Sequence, residues 1–195
     1  KKTELLQYIY KLDQRLRLPI IYDSHSITET FSLAKRINFI EKGKVVFSGN
    51  KEQSLLFYNK GQKIYSEASY IKGKVIKIIK LSGLTEIEIG KSKLTIFSDA
   101  FKKGSTVIVK INSSDIIISK IKPNGLSSLN FLRVQVYSIN INDKLVSLLL
   151  KYEKNILKAH ITKKSFQKLK LKTGKICYAL VKAVNINDIT NVSLL

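Results

Sequence analysis

Residues 102–116, KKGSTVIVKINSSDI, and residues 172–186, KTGKICYALVKAVNI, align without a gap, placing Gly104 over Gly174 and Asn112 over Lys182. In both, a glycine turn leads into a run whose apolar residues alternate, the period of a half-buried strand. Earlier in each stretch, Gly73-Lys74-Val75 matches Val134-Gln135-Val136. The second stretch thus carries roughly nine extra residues in its middle, where a turn or one-turn helix around 163–169 answers to 98–101 of the first. Around these anchors lie strand-like runs at 71–79, 85–89, 93–97, 106–111 and 116–121. The dipeptides of Pro123-Asn124-Gly125 break the pattern. A second series follows at 132–139, 144–150, 156–161, 176–181 and 184–186. Two tandem small β-barrels of the OB-like kind are the expected fold, over 63–124 and 125–195.

Upstream of residue 62 the period changes. Residues 1–17 place Leu5, Leu6, Ile9, Leu12 and Leu16 on one face of an amphipathic helix that opens without a cap, as a fragment of a longer chain would. After Pro19, the apolar run Ile20-Ile21-Tyr22 predicts a short strand. His25 follows at its carboxyl end, where open α/β sheets place ligand-contacting groups. Ser26 then caps a helix, with Glu29 completing a capping box. A hairpin through Lys42-Gly43 and a last helix over 52–58 close what reads as the end of an α/β domain.

This segment resembles the switch-histidine region of ABC-transporter ATPase subunits. The likeness continues through Leu33-Ala34-Lys35-Arg36 and Glu41-Lys42-Gly43-Lys44-Val45, similar to that family's "LADR" helix and "EKGKVVxxG" hairpin. The resemblance implies the α/β end of a P-loop ATPase at 1–62, with His25 as a catalytic residue reaching the γ-phosphate of ATP. ATP with magnesium would be the cofactor of the parent protein, whose main nucleotide site is absent here. No GxxxxGK[ST] loop and no LSGGQ-type signature occurs in the chain. Gly90-Lys91-Ser92 ends like such a loop but lies between two strand-like runs and reads as a hairpin turn.

A second resemblance covers the later half. SSLNFLRVQV (127–136), LKAHITKKSFQKLKLKTG (157–174) and YALVKAVNI (178–186) are similar to the molybdate-binding "Mop" version of the TOBE domain. It implies an oxyanion site at Ser127, Ser128, Leu129 (through its backbone), Asn130, Thr162 and Lys182, with Ser165 matching a later serine. Leu129 stands where that family often has arginine, and Ala183 where serine is common. His160 occupies a position where a basic residue is common; an alternating strand also places it at the surface. A tetrahedral dianion needs donors and positive charge without nearby acceptors, and hydroxyls, backbone N–H groups and a lysine supply them.

Joined, the resemblances imply the ATP-binding subunit of a molybdate or tungstate importer with a regulatory oxyanion-binding region. Its partners would be a membrane permease and a second ATPase subunit in a homodimer. It would lie on the cytoplasmic face of the plasma (inner) membrane, held there through the permease alone. An importer ATPase for another solute, such as sulfate, iron, a sugar or a polyamine, and a molybdate storage or regulator module stay open beside it.

Charge fits an anionic ligand. The net charge is +21, and it is uneven: residues 1–62 hold eleven basic and six acidic side chains, residues 63–195 twenty-four and eight. Lysine supplies nearly all of it, the arginines being Arg15, Arg17, Arg36 and Arg133. Readers of nucleic acid rely on arginine for bidentate contacts, so no nucleic-acid partner is expected. Cys177, the one cysteine, sits in the apolar run ICYAL and reads as a buried strand residue; with two distant histidines it makes no zinc site. No metal site is expected.

Overall fold

The computed structural model describes residues 8, 9, 12, 15, 19–61, 67–186 and 189–191. Most of the amphipathic helix expected over 1–17 lies outside the described residues. So does the change of character near residue 62.

Residues 19–61 hold two helices and one hairpin. Helix α1 (Ile27–Leu33) starts at Ser26, whose Oγ accepts from the Glu29 N–H at 3.5 Å. The expected capping box is relayed instead of direct. The Ser26 N–H donates to Ser24 Oγ, and the Ser24 and Tyr22 hydroxyls both donate to Glu29 Oε2 at 3.0 Å. Strands β1 (Arg36–Glu41) and β2 (Lys44–Asn50) pair antiparallel. The two-residue turn between them puts Lys42 and Gly43 at positive φ, the hairpin geometry that glycine favours. Helix α2 (Lys51–Lys60) begins at a full capping box between Asn50 and Gln53.

The strand expected at Ile20-Ile21-Tyr22 does not form. Among the described residues no strand pairs with it, and Ile21 is 100% exposed. β propensity reflects packing against neighbouring strands, and none of the described strands lies beside this run. It flanks a hollow of about 630 Å³, lined also by Leu33, Ala34 and Ile37.

Two five-stranded antiparallel sheets make up the rest. The first is ordered β12-β6-β3-β4-β5 and the second β10-β9-β8-β11-β7. Their strands are β3 (Ala68–Ile79), β4 (Leu84–Ile89), β5 (Ser92–Phe97), β6 (Thr106–Asn112), β7 (Ile117–Ser119), β8 (Asn130–Ile141), β9 (Leu145–Tyr152), β10 (Asn155–Thr162), β11 (Ile176–Val181) and β12 (Ile189–Asn191). Gly90 and Lys91 form the β4–β5 turn, as read from sequence. Residues 184–186 are not a strand. They belong with the 3-10 turn Ala183–Asn185, the counterpart of Ser113–Asp115 in the first repeat.

The repeat is written in the backbone. Gly104 N–H donates to the Val75 carbonyl at 2.8 Å, and Gly174 N–H to that of Val136 at 2.8 Å. Val75 N–H reaches Ser105 O at 2.9 Å, and Val136 N–H reaches Lys175 O at 2.8 Å. Both glycines sit at positive φ, so the same tight return onto the long first strand is available to both. Each long strand also carries an irregularity at the same place, after Val75 and after Val136. The extra residues of the second repeat include helix α3 (Lys163–Leu169).

The last strand of each repeat joins the sheet of the other. β7 pairs with β11, and β12 pairs with β6. The boundary at 124–125 is therefore crossed by both exchanged strands. A single apolar core, from Ile71 and Val75 to Val181 and Ile186, runs through both sheets and includes Cys177. A smaller cluster of Phe31, Ile37 and Leu55 against Ala68, Tyr70 and Ile108 seats the N-terminal piece on the first sheet. No helix among the described residues is long and apolar enough to cross a membrane.

Candidate functional site

The segment before β8 and the residue after β11 meet because Asn130 is in register with Val181. Ser127, Ser128, Leu129, Asn130 and Lys182 therefore gather at one end of the β8–β11 pair. Their side chains do different work. Asn130, 2% exposed, takes both backbone groups of Thr95: its Oδ1 accepts from Thr95 N–H at 2.7 Å and its Nδ2 donates to Thr95 O at 2.8 Å. Ser128 is buried as well, with Oγ 3.0 Å from the Val181 carbonyl and 3.2 Å from that of Asn130. Both side chains are spent on holding strands. Ser127, Leu129 and Lys182 are exposed, Leu129 at 54%, and form the outward rim. Lys182 stands at the head of the 3-10 turn with extended backbone, as Asn112 does in the first repeat.

Thr162 is elsewhere. It caps helix α3, its Oγ1 accepting from Ser165 N–H at 3.1 Å and donating to Ser165 Oγ at 2.9 Å. Its register partner is Leu145, next to Val146, which faces Ile141 at the far end of β8 from Asn130. Strand β10 packs instead against the Ser113–Asp115 turn of the first repeat. One chain thus joins five of the six sequence-derived positions and leaves Thr162 and Ser165 apart from them.

His160 is half-buried. Burial lowers its pKa, the Lys158 charge lowers it further, and Glu67 pulls the other way. The lowered value favours the neutral ring, which has an acceptor nitrogen and less attraction for an anion than a cation would have. His25 is exposed and immediately precedes the α1 cap. No group of three His, Cys, Asp or Glu suited to a metal occurs among the described residues.

Two residues that the sequence reading passed over hold the region together. Lys158 is only 7% exposed; its Nζ donates to the Gly61 carbonyl at 3.3 Å, and burial lowers its pKa. A lysine inside the strand run ILKAH was the available signal. Asn59, also buried, brackets Tyr70 as Asn130 brackets Thr95: Nδ2 to Tyr70 O at 2.7 Å, Tyr70 N–H to Oδ1 at 3.0 Å. Nothing in its local sequence marks that role.

Residues 126–187 match the TOBE domain model. Over 190 residues the chain is 30% identical to a molybdenum import ATP-binding protein, ModC, of Mesorhizobium japonicum, covering 96% of this chain and 51% of that protein. It is 31% identical over 191 residues to the ModC of Haemophilus influenzae, covering 95% of this chain and 54% of that one. The chain spans about half the length of the curated relatives it matches. A cytoplasmic molybdate-binding protein, ModG, crystallised with molybdate bound, shares the fold with a TM-score of 0.56 at 20% identity, over 67% of this chain and 99% of that one.

Proposed function

We propose that this chain is the regulatory part of the ATP-binding subunit of a molybdate or tungstate importer, with the closing segment of its ATPase domain attached. The observation that carries this reading is the rim of Ser127, the Leu129 backbone and Lys182, which brings donors and no carboxylate, set in a region that matches the TOBE domain. Such a rim suits a tetrahedral dianion, which offers acceptors alone.

One chain supplies half of that site. Thr162 and Ser165 are at the other end of β8, so they would complete the rim of a neighbouring subunit in a homodimer. The ligand would then sit between subunits and stabilise their pairing by mass action. The membrane permease would be the other partner, holding the subunit at the cytoplasmic face.

The residues of this chain do not fit ATP and magnesium by themselves. The sequence has no phosphate loop, and the described residues hold no carboxylate cluster for the metal. His25 would act only in the parent, at the γ-phosphate. There, His25→Ala should leave ATP binding within about twofold while suppressing hydrolysis, since only a contact made in the transition state is lost. Hydrolysis and molybdate uptake in vesicles carrying the parent and its permease test this. Full activity of the variant would remove His25 from the mechanism, and ATP-driven uptake of another solute in preference to molybdate would overturn the substrate.

A further inference from the structure

Three consecutive residues at the end of helix α2 make three separate contacts with the β region. Asn59 brackets the backbone of Tyr70 in β3. Lys60 places its Nζ 5.6 Å from the ring centre of Tyr137, which lies where β8 shifts register. Gly61 closes the helix, its N–H donating to the carbonyls of Phe57 and Tyr58, and its own carbonyl accepts from Lys158 Nζ. The first contact is to the first repeat and the other two are to the second.

The contacts fall where the strands have groups to give. β4 pairs with β3 only from Lys74 onward, so Tyr70 has an edge that α2 can occupy. Among the described residues strand β10 pairs only with β9, and the Lys158 N–H on its other edge donates to Ser69 Oγ at 2.7 Å. Lys158 therefore ties β10 to β3 through its backbone and to α2 through its side chain. Thr162 and Ser165 lie just beyond, at the end of the same strand and in the helix it leads into.

We propose that Lys158 is the key of an interlock that makes the seat of helix α2 follow the position of strand β10. The buried ammonium holds the Gly61 carbonyl, so a shift of β10 pulls on the C-terminal end of α2. On the reading given under Proposed function, an oxyanion held at Thr162 and Ser165 acts on the α/β piece by this route. Lys158 is a positioning residue and touches no ligand.

Amide hydrogen exchange on this chain tests the interlock, comparing the wild type with Lys158→Met. The variant should exchange at least about tenfold faster at residues 55–60, while the amides of β8 and β11 stay within about twofold. Unchanged exchange at 55–60, or equal acceleration everywhere, overturns the proposal. Should Lys158→Met fail to fold, Lys158→Gln is the milder variant with the same expected pattern. In a second arm, saturating molybdate should change exchange at 55–60 in the wild type. Lys158→Met should lose that change with its molybdate affinity kept within about twofold. Binding without any response at 55–60 overturns the relay. Absence of molybdate binding overturns the functional reading instead, and the ligand-free arm then decides the interlock alone.

Discussion

The two repeats share a backbone and differ in what they place on it. At matching positions the first has Glu67, Ala68 and Ser69 where the second has Ser128, Leu129 and Asn130, and it has Asn112 where the second has Lys182. Asn112 donates to Asp115 at 3.0 Å, whereas the residue matching Asp115 is Asn185. The first repeat thus puts two carboxylates at its end, and the second puts a lysine and no acid there. Ser113 leaves a buried hydroxyl without a partner among the described residues, and Ala183 at the matching position has none to satisfy. Like folds can keep one binding end and turn the other into a structural joint. Carboxylates repel a dianion, so of the two ends the second is the better candidate for an anion site.

The strongest way to break that comparison is at the paired residues Ser69 and Asn130. Each ties the start of its long strand to the edge strand of the other repeat, but Asn130 satisfies three backbone groups, Thr95 N–H, Thr95 O and Val181 O, and Ser69 satisfies one. Asn130→Ala should destabilise the chain by about 3 kcal/mol and Ser69→Ala by about 1–2 kcal/mol, because the partners are left unpaired. Urea unfolding of both variants checks the order. Equal losses would mean the two ends do the same structural work.

A smaller effect concerns His160, whose matching residue is Phe97. Burial lowers the His160 pKa below 6.5, with Lys158 adding to it and Glu67 opposing. The folded chain therefore prefers the neutral ring, and the unfolded chain binds the proton more readily. Stability from this group is full above pH 6.5 and falls as pH drops through 6.5 toward the folded value. His160→Phe, copying the first repeat, should flatten that part of the stability–pH curve. A slope that survives the substitution would assign it to another group.

The repeat was legible because Gly104 and Gly174 force the same return onto Val75 and Val136, and a glycine at positive φ leaves a mark in sequence. The hairpin at Lys42-Gly43 was legible for the same reason. The exchange of β7 and β12 was not, since a short apolar strand carries no record of which sheet it joins. Ile20-Ile21-Tyr22 misled because propensity without a neighbour does not make a strand. Motif likeness named Ser127, Leu129 and Lys182, and the structure leaves these three exposed at one end of the β8–β11 pair. That Asn130 and Ser128 are occupied by Thr95 and Val181 could not be read from likeness, because an amide or hydroxyl fits a backbone as well as an anion.

The most direct measurement is calorimetric titration of the chain with molybdate, run on the wild type, Lys182→Ala and Asn112→Ala, with tungstate, sulfate and phosphate as competitors. A charge-assisted hydrogen bond lost at Lys182 should weaken molybdate binding at least about tenfold, while Asn112→Ala stays within about twofold. Phosphate, which keeps a proton at neutral pH, should compete poorly, since neither the Lys182 ammonium nor a backbone N–H can accept a bond from that proton. A wild type that gives no heat with molybdate, or the same loss from both substitutions, would contradict the assignment of the anion site to the second repeat.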